Sequence, residues 1–297
     1  MTEHATSRPR LEPLGWDPGF ERSFDRVAGP GTEPARVVAR RRDRWTVWTE
    51  DGARTAVAVG GMETMGERPA VGDWVVVEGV AGSDYVLVRM LDLIPRRGAF
   101  RRLAPGPEPT AEVLAANVDV ALVLTALPST LDPRRLERWT NLARGSGAVP
   151  VIVLTKLDLA PDAATAVRAA AELLPGVDVV AVSAVTGTGI DAVRDRLTPR
   201  STAVLLGSSG VGRPTLLDRL LGEERAPRDR SQKDRRGGAA RSRRELFRTP
   251  WGALIIETPG LREPGLWTAG TALDSSFPDG AEPPERRELP RKHFDGD

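Results

Sequence analysis

The chain has 297 residues, 40% of them hydrophobic, with a formal net charge of +1, enough for one large or two ordinary domains and no overall pull toward a polyanion. It has no cysteine and only two histidines, His4 and His293 near the ends, which excludes disulfides, thiolate metal sites and a histidine base in the core. No apolar run approaches the ~20 residues of a membrane span, and Met1-Thr2-Glu3-His4 lacks a secretory pattern, so a cytoplasmic protein, expected to be a monomer with no membrane partner, is anticipated.

Residues 1–33 read as an N-terminal arm in which Leu14, Trp16, Phe20 and Phe24 are the side chains able to pack on a neighbouring domain. From 34 to 95 the pattern is short strands. Ala35-Arg36-Val37-Val38-Ala39-Arg40 comes first, and Trp45-Thr46-Val47-Trp48-Thr49 alternates before a turn at Asp51-Gly52. Thr55 to Val59, Trp74 to Glu78 and Tyr85 to Arg89 complete five strands. That spacing suggests a small closed barrel, with the oligonucleotide-binding (OB) topology the natural candidate and a generic barrel the alternative. Residues 96–112 read as a linker. Its Arg96, Arg97, Arg101 and Arg102 are either solvated or in contact with nucleic acid.

The grammar changes near residue 113. Val118 to Thr125 is a continuous apolar strand of the kind covered on both faces. Pro133 to Arg144 has helical spacing at Leu136, Trp139 and Leu142. Val149 to Leu154 is a second buried strand, Ala163 to Leu174 a helix, Val177 to Val182 a strand, and Gly189 to Leu197 a helix. Ala203 to Leu206 and Ala253 to Ile256 are further strands. Alternation of this kind means an α/β domain with a mostly parallel sheet, here 113–266. The tail, 267–297, is rich in Pro, Glu and Arg, and only Ala272 to Phe277 reads as able to pack.

Gly207-Ser208-Ser209-Gly210-Val211-Gly212-Arg213-Pro214-Thr215 lies between a strand and a helix and follows G-x-x-x-x-G-K-[ST], except that Arg213 holds the lysine position and Pro214 the hydroxyl position. Three other segments end strands, where open α/β sheets bind ligands. In Thr155-Lys156-Leu157-Asp158 the carboxylate suits guanine N1 and N2 and the Lys156 stem suits the base face, although a surface Lys–Asp pair has the same sequence. Ser183-Ala184-Val185-Thr186-Gly187 offers amides to guanine O6, or is only a glycine turn. Glu257-Thr258-Pro259-Gly260 resembles D-x-P-G, in which the acid reaches Mg²⁺ through water and the glycine amide senses the γ-phosphate. The base-reading segments precede the phosphate loop, the order of a circularly permuted GTPase.

That order, with the N-terminal barrel, resembles the ribosome small-subunit-dependent GTPase A (RsgA) family. The resemblance is carried by Leu14-Gly15-Trp16, Pro69 to Val75, Pro95-Arg96-Arg97, Leu114 to Asp119, Leu154 to Leu159 and Gly207 to Gly212. It implies an OB barrel, a permuted P-loop GTPase domain, GTP or GDP as ligand, and action with 16S rRNA in small-subunit maturation. Departures concentrate at the phosphate end. Arginine is longer than lysine and planar. Proline removes an N–H and a metal-ligating hydroxyl, so Mg²⁺ binding is in question and Thr215 stands one position late. Aligned on Arg244-Glu245-Leu246, Ala239 stands where the family has its catalytic histidine, leaving no catalytic residue assigned. The family's cysteine-rich zinc module has no counterpart after about Asp279, and no zinc is expected. Arg225 to Arg248 is strongly basic, with Arg235 and Arg236 as RNA-contact candidates against the alternative of a solvated loop. These features predict a guanine-nucleotide-binding, ribosome-associated protein with weakened or lost GTP hydrolysis. The alternatives are a fully active ribosome-stimulated GTPase and a nucleotide-blind RNA-binding relative.

Overall fold

The computed structural model describes residues 8–41, 44–59, 68–80, 87–103, 111–127, 131–160, 162–222, 244–257 and 267–269. The five barrel strands are β1 (Thr32–Arg41), β2 (Arg44–Thr49), β3 (Gly52–Ala58), β4 (Trp74–Gly79) and β5 (Leu87–Leu93). They pair in the order β1-β2-β3-β5-β4 and close through β1 with β4. Only β3 and β5 run parallel. In β2, Trp45 and Val47 point inward with Val37, Val75, Val77 and Met90, while Trp48 faces solvent. The alternation seen in the sequence is therefore the inside and outside of a barrel. A register shift between Val37 and Ala39 bends β1, so that one end pairs with β4 and the other continues along β2.

The second unit is a sheet of β10 (Asp178–Ala181), β9 (Val149–Thr155), β8 (Val120–Ala126), β11 (Thr202–Leu206), β13 (Leu254–Glu257) and β12 (Arg244–Arg248), in that spatial order. All neighbouring pairs are parallel except β12 with β13. Alternate residues of each strand serve two cores. Ala121, Val123, Val204 and Leu206 meet α2 (Pro133–Gly145) and the neighbourhood of α3 (Ala163–Leu173) on one face. Leu122, Leu124, Ala203 and Leu205 meet α4 (Ile190–Arg194) and α5 (Arg213–Leu221) on the other. Both faces are covered, which is why these strands read as unbroken apolar runs. The crossovers from β8 run toward β10, whereas those from β11 run toward β13. The sheet thus reverses direction between β8 and β11, a topological switch point.

The arm's apolar residues pack as the sequence allowed, and two other readings are corrected. The arm packs into the main core: Leu11, Leu14, Trp16, Phe20 and Phe24 are all buried, and Trp16 meets Trp74 of the barrel edge-on at 4.7 Å. Its helix α1 (Pro18–Asp25) is capped by Asp17, which accepts N–H bonds from Gly19 and Phe20. The stretch read as a linker carries β6 (Ala99–Leu103), paired antiparallel with β7 (Ala111–Ala116). Its two buried residues, Ala99 and Phe100, stand side by side before two arginines, so no alternation marks the strand in the sequence. Part of the basic segment, Arg244–Arg248, is strand β12, and the first residues of the tail, Trp267–Ala269, form β14 beside β6. A strand paired on both sides needs few apolar residues of its own when backbone hydrogen bonds hold it.

Candidate functional site

The loop from Gly207 to Gly212 joins the carboxyl end of β11 to α5. Gly207, Gly210 and Gly212 all have positive φ, 142°, 82° and 89°. At Gly207 a β-carbon would also lie 2.7 Å from the Leu124 carbonyl oxygen of β8, so any side chain would push the loop off the sheet. The N–H groups of Ser208, Ser209, Gly210, Val211 and Gly212 donate to no acceptor among the described residues. Successive free amides at the start of a helix form a concavity suited to an anion.

Arg213 is the first residue of α5, with Gly212 as its left-handed N-cap. Pro214 follows, in a turn whose N–H groups have no intrahelical partner, so the helix forms without distortion. Pro214 and Thr215 are both accessible at the helix start. The donor set does not fit the usual magnesium site of such a loop. Proline brings no oxygen at the ligand position, and Thr215 lies one residue, about 100° of helical turn, farther round. Glu257 ends β13, beside β11, and pairs across with Glu245 of β12.

The two segments expected from the sequence to contact a base reach the same sheet edge. Thr155 closes β9, and its hydroxyl donates to the Val211 carbonyl at 2.7 Å, tying that strand to the phosphate loop. Lys156 takes a left-handed conformation, φ 60°, which turns the chain into a short 3-10 turn, Leu157–Leu159. That turn exposes Asp158, whose Oδ1 accepts the Ser183 hydroxyl at 2.6 Å. Its Oδ2 has no partner among the described residues, so one oxygen is positioned and the other is open. The amide of Ser183 donates internally to the Thr188 carbonyl at 2.9 Å. The Ala184 N–H has no acceptor among the described residues. A β-carbon at Gly189 (φ 76°) would collide with the Ala181 carbonyl, which keeps this loop tight against β10.

The family model described as RsgA GTPase matches residues 93–267. A protein of Opitutus terrae named small ribosomal subunit biogenesis GTPase RsgA is 40% identical over 281 residues, covering 91% of this chain and 77% of that protein. One of the same name from Streptomyces coelicolor is 38% identical over 295 residues, covering 95% and 77%. The chain belongs to the RsgA GTPase family. Among solved structures, YjeQ from Thermotoga maritima superposes with a TM-score of 0.61 at 20% identity, over 79% of this chain and 77% of that one. YloQ, described as a circularly permuted GTPase, gives 0.53 at 22% identity, over 77% and 71%. This chain shares their fold, in its own case a barrel followed by a permuted GTPase domain.

The RsgA scaffold brings Thr155, Lys156, Asp158, Ser183, Ala184, Gly207 to Arg213, Thr215 and Glu257 to one edge. Gly260, Arg235, Arg236 and Ala239 lie outside the described residues. Arg96 is engaged inside the protein, where its guanidinium forms a two-pronged ion pair with the buried Asp73, both bonds 2.7 Å. Arg97 is half exposed, pairs with Asp17 and covers the Phe20 ring at 3.9 Å. Burial alone would raise the Asp17 pKa, but the Arg97 bonds and the two capping amides outweigh it and hold the carboxyl below its ordinary value.

Sequence reasoning missed a second constellation at the joint between the two units. Arg36 of β1 is buried, and its guanidinium donates to the Leu14 carbonyl of the arm and to the Thr202 hydroxyl of β11 at 2.9 Å. Burial lowers its pKa to about 10, opposed by the charges of Asp119 and Asp73. Asn117 donates to the Gly72 carbonyl and accepts from the Arg97 amide. The signal was present in the motif strings, but nothing in them says that they meet.

Proposed function

We propose that this chain is a guanine-nucleotide-binding protein of small-subunit biogenesis whose magnesium-assisted GTP hydrolysis is weakened or lost. Its relatives carry the name of that process. The observation that carries nucleotide binding is the row of unbonded amides from Ser208 to Gly212 at the start of α5, joined through Thr155 to the open carboxylate of Asp158. Asp158 and Lys156 select the base, and the loop amides and Arg213 hold the phosphates. Catalysis of phosphoryl transfer is mostly charge compensation and positioning. Pro214 takes a metal ligand from that machinery, and Glu257 carries its carboxylate on a longer stem than aspartate. GDP and GTP are therefore ligands first. The barrel, the arm and the basic segment supply the contacts to the small subunit, as a cytoplasmic monomer.

The test is a titration of the full chain with fluorescent mant-GDP, with Asp158→Asn as control, followed by single-turnover GTP hydrolysis with and without small subunits. We expect binding that weakens at least about tenfold in Asp158→Asn, the cost of one hydrogen bond to a charged group, and little hydrolysis in either condition. Stimulated turnover at a typical GTPase rate would refute the lost-hydrolysis reading. Absence of all binding would leave a nucleotide-blind ribosome-binding protein.

A further inference from the structure

We propose that Arg135, on α2, is a second cation for the terminal phosphate of the bound nucleotide. This rests on the reading that a nucleotide occupies the loop. The Arg135 Nη1 donates to the Ser208 hydroxyl at 3.3 Å, so its guanidinium already touches the phosphate loop from outside the loop's own segment. The contact spans the crevice between β8, which leads into α2, and β11, which leads into the loop. That crevice is the switch point of the sheet, where open α/β sheets hold their ligands.

The residue is placed and has capacity to spare. Asp132 caps α2 by accepting the Arg135 amide, which fixes the first turn beside the loop. The same carboxylate is 3.7 Å from the Arg135 guanidinium, an exposed pair of small energetic weight. About half of the side chain is exposed, at 54%, and a guanidinium has five N–H groups, most of them unused here. The side on which it stands also matters. The apolar residues of α2 pack on one face of the sheet and those of α5 on the other. Arg135 therefore belongs to a helix on the face opposite α5, whose first residue is Arg213. A planar fork suits phosphate oxygens, and in a loop with a proline at the metal-ligand position such a fork adds positive charge to that of Arg213. Its contact favours the nucleotide with the extra phosphate.

The test uses the full chain with two probes, mant-GDP and the mant derivative of a non-hydrolysable GTP analogue. In Arg135→Ala the analogue loses about tenfold in affinity, the lower end of a charge-assisted hydrogen bond, while mant-GDP changes less than about twofold. Arg135→Lys, which keeps the charge without the fork, falls between. Equal losses for both probes, or no loss for either, would overturn the inference. Where the wild-type chain binds and Asp158→Asn weakens it, an unmoved Arg135 variant overturns this assignment alone. Where the wild-type chain binds neither probe, both readings fall together.

Discussion

Pro214 separates what a helix needs from what a phosphate needs. At the second position of α5 its missing N–H is one that no helical carbonyl would have accepted. The fold therefore tolerates the residue, and only a ligand would register the loss. Pro214→Ser restores one donor and one hydroxyl at the place where both belong. With Arg213→Lys it should raise mant-GDP affinity about tenfold and make that affinity sensitive to a chelator, measured by titration with and without EDTA. A gain without chelator sensitivity would mean that the restored hydroxyl meets no metal. The loop itself was legible in the sequence because its backbone geometry demands glycine at fixed spacing, as at Gly207 against the Leu124 carbonyl. Arg135 was not legible: it lies 73 positions from Ser208, and only the placement of β8 beside β11 joins them.

The strands that sequence reasoning overlooked, β6, β12 and β14, share a property. They are short and held by pairing rather than by an apolar stripe, β6 and β12 carry two arginines each, and β14 has only three residues, so no period-two signal marks them. One of them links the two units directly. Strand β12 pairs with β1 at Ala39↔Glu245 and Arg40↔Arg244, making the barrel and the GTPase sheet one continuous surface of eleven strands. Glu112 of β7 pins the seam, with Arg244 at 2.7 Å, Arg102 at 3.1 Å and Arg40 at 3.9 Å. Burial would raise its pKa, but Arg244 and then Arg102 outweigh that and hold it below its ordinary value of 4.5. A carboxyl with a depressed folded pKa contributes stability that is present above its unfolded value and lost as pH falls through its folded one. The wild-type chain should therefore lose stability as pH drops below 4.5, and Glu112→Gln should lose less over the same window while starting lower at neutral pH. Urea midpoints at about pH 7 and about pH 3.5 report the difference. Parallel pH profiles for the two proteins would show that the seam does not depend on this charge.

For the whole molecule, the motif strings that marked the family divide into two groups. Those around Asp158 and Gly207 build the candidate ligand edge, and the role proposed for them could be read from their chemistry. The others, around Gly15, Asp73, Arg96 and Asn117, converge on the opposite side of the sheet, where arm, barrel and GTPase domain meet beside a cavity of about 550 Å³. Their purpose is visible only in three dimensions, because each supplies one half of an interaction whose other half lies in a different unit. Arg36 is the common member. Its stem belongs to the barrel, and its guanidinium holds the arm through the Leu14 carbonyl and the GTPase domain through Thr202, 5.3 Å from the Trp74 ring. A buried cation is costly unless such partners surround it, and burial accordingly lowers its pKa to about 10. Truncation removes the cation and also strands its acceptors. Arg36→Ala should destabilise the chain by roughly 3–5 kcal/mol, the range for breaking a buried charged network. Arg36→Lys should recover only part of this, since one ammonium cannot reproduce the fork. Because the lost contacts join units rather than fill one core, the arm and barrel should melt ahead of the GTPase domain. Calorimetry would then show two transitions where the wild-type chain should show one. A single transition at the wild-type midpoint in Arg36→Ala would place the strength of the joint elsewhere, in the Trp16–Trp74 contact and the β1–β12 pairing.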